Sequence, residues 1–188
     1  MKKLALLAVL AGTFAFGQTK KVTSSDIHWW GYKVAKTASS SHDGTIHLKS
    51  GAVEMKGNTV VGGTFVMDMN SITATDITGE RQQKLNAHLK QGDFFEVEKY
   101  PIATYKITSV KKNKNKDFNY TVHGNLTVRN KTNPVAFPAK ITVDNGEVTI
   151  ISDKFSWDRQ KFDVNYKSTM QDVIVKDDID MTIKVSAK

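Results

Sequence analysis

The chain has 188 residues, 27 Lys and Arg against 19 Asp and Glu, a formal net charge of +8 and no cysteine. Disulfides, thiol chemistry and an acylated-cysteine anchor are thereby excluded, so the fold must hold by burial alone. The basic excess is spread over turns and strand faces, and its one cluster, Lys111, Lys112, Lys114 and Lys116, has no interleaved aromatics on which bases would stack; this argues against a nucleic-acid partner.

Lys2 and Lys3 precede the apolar run LALLAVLAGTFAFG, with Ala15 and Gly17 at small-x-small spacing. The expectation is a signal peptide over residues 1–17, cut before Gln18, and a periplasmic or secreted mature protein. The run falls short of the roughly 18 to 20 apolar residues that span a bilayer. Residues 18–188 then fit one domain able to bury most of its apolar surface.

From Ile27 to Lys36 the run IHWWGYKVAK is aromatic and β-branched, as suits a first strand. Ile27 and Trp29 share one face and Trp30 and Tyr32 the other; the pattern alone leaves open which is inside. Ser39 to Gly44 reads as a turn, followed by short strands Thr45–Leu48 and Ala52–Met55 around Ser50-Gly51, and Gly57-Asn58 is a further turn. In Val60–Ile72, Gly63, Phe65, Met67 and Met69 alternate with Thr64, Val66, Asp68 and Asn70, giving one apolar face.

Helical spacing occurs only at about Gly79–Gln91, where Leu85 and Leu89 stack at i,i+4 and Gly92 suits a left-handed C-terminal position. So narrow a stripe points to a helix over an end or edge of a sheet. Alternation returns after Pro101 with Ala103, Tyr105 and Ile107, then with Tyr120, Val122, Gly124, Leu126 and Val128. It continues through Val135, Phe137, Ala139, Ile141 and Val143 to the hairpin signal Asp144-Asn145-Gly146, then Val148–Phe155 and a last strand with Ile179, Met181, Ile183 and Val185 inside. The expected fold is all-β: an antiparallel barrel of about eight strands with one short helix, closed because closure removes edges, with a two-sheet sandwich as the second option.

No metal site or catalytic motif is legible. The histidines show neither HExxH nor HxH, and no Gly-x-Ser-x-Gly elbow or phosphate loop is present. His42 and His47 stand within reach of Asp43 across a turn, as ordinary polar histidines. Asp93 with Phe94, Phe95 and Glu96 reads as a helix exit pinned by two rings, and Arg159, in SWDRQKFDVNY, as the partner of Asp158, Asp163 or another carboxylate near the rim.

The interior is what remains. Phe65, Met67, Tyr105, Tyr120, Val122, Leu126, Phe137, Met181 and Ile183 face it by alternation, with Trp29, Phe155 and Trp157 as further candidates. They form either a fully packed core or the lining of a ligand tunnel of the lipocalin type.

HDGTIHLKSGAVEMKGNTVVGGTFVMDMNSI, LNAHLKQGDFFEVEKYPIATYKIT, YTVHGNLTVRNKTNPVAFPAKI and the Arg159–Tyr166 segment together resemble the YceI-like family in order and spacing, over about Ile27–Val185. Its most specific pieces are DFFEVEKYPIATY and GNLTVRNKTNPV. The resemblance implies an extended lipocalin-like barrel, export to the periplasm, and a tunnel holding a polyisoprenoid such as the tail of an isoprenoid quinone. It carries ligand contacts over only to Phe65, Met67, Tyr105, Leu126 and Phe137. The doubled Trp29-Trp30 and the lysine-rich loop 111–116 depart from the family pattern.

The expected function is therefore an exported carrier or scavenger of an isoprenoid lipid or quinone, with no cofactor, no metal and no nucleic acid. Transient membrane-surface contact and a homodimer are further partner options. The alternatives are an enzyme acting on a lipid-like substrate at the rim, through Asp93, His123 or Arg159, and a ligand-free structural barrel.

Overall fold

The computed structural model describes residues 17–35, 39–170 and 172–188. The leader expected over 1–17 lies outside them except for Gly17, which already belongs to a strand. Among the described residues ten strands are formed: β1 Gly17–Ala35, β2 Ser39–Lys56, β3 Thr59–Ala74, β4 Ile102–Lys112, β5 Tyr120–Val128, β6 Lys131–Asp144, β7 Glu147–Ser152, β8 Phe155–Asp158, β9 Val173–Val175 and β10 Asp178–Ala187. One helix, α1 Gly79–Lys90, joins β3 to β4, and a 3₁₀ turn, Arg159–Phe162, follows β8.

Strands β1 to β7 pair antiparallel with their neighbours, β7 pairs with β10, and β10 returns to β1 with Ile27 opposite Ile183 and Trp29 opposite Met181. This closes an eight-stranded barrel, the architecture the alternation predicts. β8 continues the line of β7 along the first half of β10, after a break at Asp153-Lys154 that divides the single strand expected over Val148–Phe155. β9 extends the far end of β1.

Two expected turns are strand instead. Ser39–Gly44 pairs with Trp29–Val34, and Ser50-Gly51 sits in a continuous β2 at a register shift between Leu48/Met67 and Ser50/Val66. Composition reads as breakers what are close approaches. A Cβ on Gly44 would lie 1.9 Å from the Thr73 carbonyl oxygen and 2.6 Å from Trp29 Cζ2, and one on Gly51 would lie 2.8 Å from Val22 Cγ2. Such positions and the bulge belong inside strands that must bend around a barrel. β1 likewise begins ten residues before Ile27, its Gly17–Lys21 segment pairing with Ala52–Lys56.

The α1 helix ends at Lys90, close to expectation, but Gly92 is not left-handed. The chain leaves through amide bonds from Phe95 to the Leu89 carbonyl and from Val97 to that of Lys90, and the left-handed residue is Glu96, φ 47°.

The barrel's two ends differ. The end with the 56–59, 112–120 and 144–147 connections is filled by Val53, Met55, Val60, Ala139, Val148 and Ala187, all essentially without exposure. The other end carries α1, the 91–101 turn, the β5–β6 turn and the 159–177 segment. Arg129 clasps these together: its Nη1 donates to the carbonyls of Phe94 and Asp163, both 2.7 Å, and its Nη2 to Glu96 Oε2, 3.0 Å.

Candidate binding cavity

Below this cap the barrel is not filled. A cavity of about 160 Å³ lies between side chains of all eight barrel strands, of β8 and β9, and of α1. Strand alternation supplies its walls: Phe65, Met67 and Met69 from β3, Ala103, Tyr105 and Ile107 from β4, Val122, Leu126 and Val128 from β5. Leu85 and Leu89, the helical stripe, close it from above together with Phe94 and Phe95. Phe94 stacks on Tyr166 at 5.0 Å between centroids, and His88 meets both rings edge-on. The helix exit pinned by two rings is thus a cavity roof, while Asp93 itself is exposed.

Eleven of the twelve candidate residues line this space: Trp29, Phe65, Met67, Tyr105, Val122, Leu126, Phe137, Phe155, Trp157, Met181 and Ile183. Tyr120 does not. It shares the inward face of β5 with Val122 but stands beyond it, paired with Ala139 at the end where the barrel is packed. The β1 ambiguity resolves with Ile27 and Trp29 inside, buried to 4% and 7% exposure. Trp30 lies over the Lys154 ammonium, 4.1 Å away, and Tyr32 Oη donates to Asp180 Oδ2 at 2.6 Å.

Aromatic contacts set the shape. Phe137 stacks on Phe155 at 4.6 Å and meets Tyr105 at 5.6 Å. Tyr105 Oη donates to the Val135 carbonyl at 3.0 Å, and burial pushes its phenol pKa up, so it stays protonated. Trp157 Nε1 donates to Met181 Sδ at 3.1 Å. Three methionines, Met67, Met69 and Met181, line the space, and their unbranched side chains re-pack more readily than Leu or Ile.

The polar lining gathers at one place. Tyr32, Lys33, His42, Arg159 and Lys176 border the cavity where β1 pairs with β9 and with the start of β2, Lys33 opposite Val175 and Gly31 opposite His42. Arg159 is 2% exposed and fully engaged: to the carbonyls of Val164, 2.5 Å, Lys176, 3.1 Å, and Val175, 3.4 Å, and to Asp177 Oδ1, 2.9 Å. Its carboxylate is therefore Asp177, across the 3₁₀ turn, rather than the nearer Asp158 or Asp163. The histidine pairing also differs from expectation: His28 Nε2 meets Asp43 Oδ2 and His42 Nδ1 meets Asp76 Oδ2, each at 2.8 Å, while His47 meets neither.

Asp93, His123 and Arg159 do not form a catalytic set. Asp93 is on the cap's outer surface, His123 alternates outward between Val122 and Gly124, and Arg159 is committed to its four acceptors. Among the described residues no group of three His, Asp or Glu is placed to hold a metal ion.

A model of the YceI-like domain matches residues 18–187, and the chain belongs to that family. A UPF0312 protein of Yersinia enterocolitica is 36% identical over 74 residues, 39% of this chain and 37% of that protein, so the chain spans little more than a third of the curated relatives it matches. The fold is shared with Burkholderia cenocepacia BcnA, at TM-score 0.67 and 18% identity over 87% of this chain and 96% of that one. It is also shared with a polyisoprenoid binding domain from Saccharophagus degradans implicated in plant cell wall breakdown, at TM-score 0.58 and 10% identity over 90% and 97%. A Campylobacter jejuni YceI protein aligns over 100% and 99% at TM-score 0.53 and 16% identity.

Proposed function

We propose that this member of the YceI-like family is an exported carrier or scavenger that takes the chain of an isoprenoid lipid, a polyprenyl chain or the tail of an isoprenoid quinone, into the barrel. The observation that carries this reading is the cavity, walled by apolar side chains in a barrel whose opposite end is packed solid. The Saccharophagus degradans domain of the same fold, described as polyisoprenoid binding, supports the choice of ligand class.

The driving force is burial. Each CH₂ removed from water contributes about 0.8 kcal/mol, so one isoprene unit gives a gross stabilisation of about 4 kcal/mol before chain ordering and lost translation subtract from it. As the side chains stand, 160 Å³ resembles the apolar cavity of about 150 Å³ that admits benzene. A longer chain enters by rotation of Met67, Met69 and Met181. No reacting group is needed, only exclusion of water.

Lipid exchange at a bilayer fits the surface beside the polar edge. Met170 and Ile174, each 68% exposed, are the most exposed large apolar residues described; Met170 lies just before β9 and Ile174 within it. The test is organic extraction and mass spectrometry of the purified mature protein, followed by titration with a polyprenyl alcohol. A barrel that retains no lipid and takes up none removes the proposal, and N-terminal sequencing of exported protein checks cleavage before Gln18.

A further inference from the structure

Among the described residues no carboxylate lines the cavity: its ionisable lining consists of Tyr32, Lys33, His42, Tyr105, Arg159 and Lys176, four bases and two phenols. A purely hydrocarbon or neutral ligand gives no reason for that asymmetry in a chain with 19 acidic residues. The bases also differ in what they hold. Arg159 is neutralised by Asp177 at 2.9 Å and His42 is paired with Asp76 at 2.8 Å. Lys33 and Lys176 have no carboxylate partner among the described residues; Lys176 Nζ rests 5.4 Å from the centre of the Tyr32 ring, and Lys33 is exposed. Inward alternation along β1 through Ile27, Trp29 and Gly31 brings Lys33 to the cavity edge, and the amide of Lys176 donating to the Tyr32 carbonyl, 3.0 Å, fixes the second lysine beside it.

We infer that the ligand is an amphiphile with an oxyanion head, a phosphate or a carboxylate, whose chain fills the cavity while Lys33 and Lys176 receive the head at the β1–β9 edge. This rests on the lipid-binding reading above and adds the head-group class. Two flexible ammonium groups act as point charges and suit a compact oxyanion, whereas a neutral quinone ring would need directed donors. Both lysines are exposed, so the selectivity they confer is electrostatic and weakens with salt.

The test uses three probes on the mature protein at low ionic strength, below their aggregation concentrations: farnesyl phosphate, farnesol and a fatty acid of similar length, followed by calorimetry. The expected result is that farnesyl phosphate or the fatty acid binds at least about tenfold tighter than farnesol. The preferred of the two identifies the head. In the Lys33→Gln, Lys176→Gln double variant that preference falls to within about twofold. A control pair of equal charge loss at the other end of the barrel, Lys114→Gln with Lys116→Gln, keeps the preference. Equal binding of farnesol and the anions by the unaltered protein, or a preference that survives in the double variant, overturns the head-group inference alone. Failure of all three probes to bind overturns the lipid-binding reading and this inference with it.

Discussion

Gly124 on β5 is the seat of the Tyr105 ring on β4: a Cβ built at Gly124 would lie 2.4 Å from Tyr105 Cζ and 2.6 Å from its hydroxyl oxygen. The ring thus lies flat across the neighbouring strand, and its hydroxyl reaches the Val135 carbonyl on β6, tying three consecutive strands. A Gly at this point of the Gly-Asn-Leu-Thr stretch therefore has a steric cause.

A Cβ at Gly124 would also lie 2.6 Å from the Lys106 carbonyl oxygen, so Gly124→Ala must displace the Tyr105 ring from its seat, with loss of its bond to Val135, and press on the β4 backbone as well. We expect a loss of about 1–3 kcal/mol from overpacking, read by chemical denaturation, and weaker retention of any apolar ligand. A second change, Tyr105→Phe in that background, should cost little more, because the hydrogen bond is already gone. A full additional loss of about 1 kcal/mol would show that the tyrosine had stayed in place.

The Arg129 clasp makes a separate prediction about the cap. Its guanidinium holds Phe94, Asp163 and Glu96 together, and Glu96, Arg129, Asn130 and Asp163 all have positive φ. Such left-handed residues persist only where surrounding bonds fix them. Arg129→Lys keeps the charge but gathers its donors on one nitrogen, which cannot span acceptors that the planar guanidinium reaches from Nη1 and Nη2, so we expect a loss of about 2 kcal/mol and faster hydrogen exchange in residues 94–97 than in the barrel strands. Uniform protection across cap and barrel in this variant would contradict the clasp.

Acid should loosen the structure through carboxylates held below their ordinary pKa, Asp76 and Asp180 among them. At Asp76 burial, the largest single effect, raises the pKa, but the His42 hydrogen bond, the Asp43 amide and the His42 charge outweigh it, and the net shift is downward. Asp180 behaves alike: burial raises its pKa, and the bonds from Ser156, Tyr32 and Lys154 bring it below the ordinary value. A folded pKa below the unfolded one means stabilisation that is complete above the ordinary Asp value of about 3.9 and is lost as pH falls through the lowered one. Thermal melts should therefore show a fall below about pH 4 that is smaller in the Asp76→Asn, Asp180→Asn double variant, whose stability at neutral pH is already reduced. An identical acid slope in both proteins would place the titrating groups elsewhere.

How much of this was legible in the sequence depends on what each residue does locally. Alternation showed the barrel and eleven of the cavity residues, because in a one-sided sheet every second side chain must avoid water. It placed Tyr120 with them, since periodicity gives the face but not how far along the barrel the packed plug extends. Gly44 and Gly51 read as turns in composition, which does not distinguish a turn from a point where Trp29 or Val22 presses on the backbone. Arg129 stood in the turn of VRNKTN with nothing to separate it from an exposed base, and its partners are about 34 residues away in sequence. Lys33 continued the inward phase of Ile27 and Trp29, and that phase was the available signal for a lysine at the cavity edge.

Binding and stability should respond in opposite directions at Ala103. This small residue lines the cavity opposite Met67 at 3% exposure, so Ala103→Phe places a ring in space that is otherwise empty. If the barrel were a packed core, the added ring would force neighbours off their rotamers and lower stability by about 1–3 kcal/mol. If the cavity is kept open for a ligand, filling it should leave the melting temperature unchanged or raise it, a gain of up to about 1–2 kcal/mol, while farnesol uptake falls at least about tenfold. Trp29 and Trp157 report the filling directly: both line the cavity, and displacement of Met181 from Trp157 Nε1 should shift the emission of the variant toward that of the ligand-loaded protein. Lower stability together with unchanged uptake would show that the open volume is not where the ligand goes.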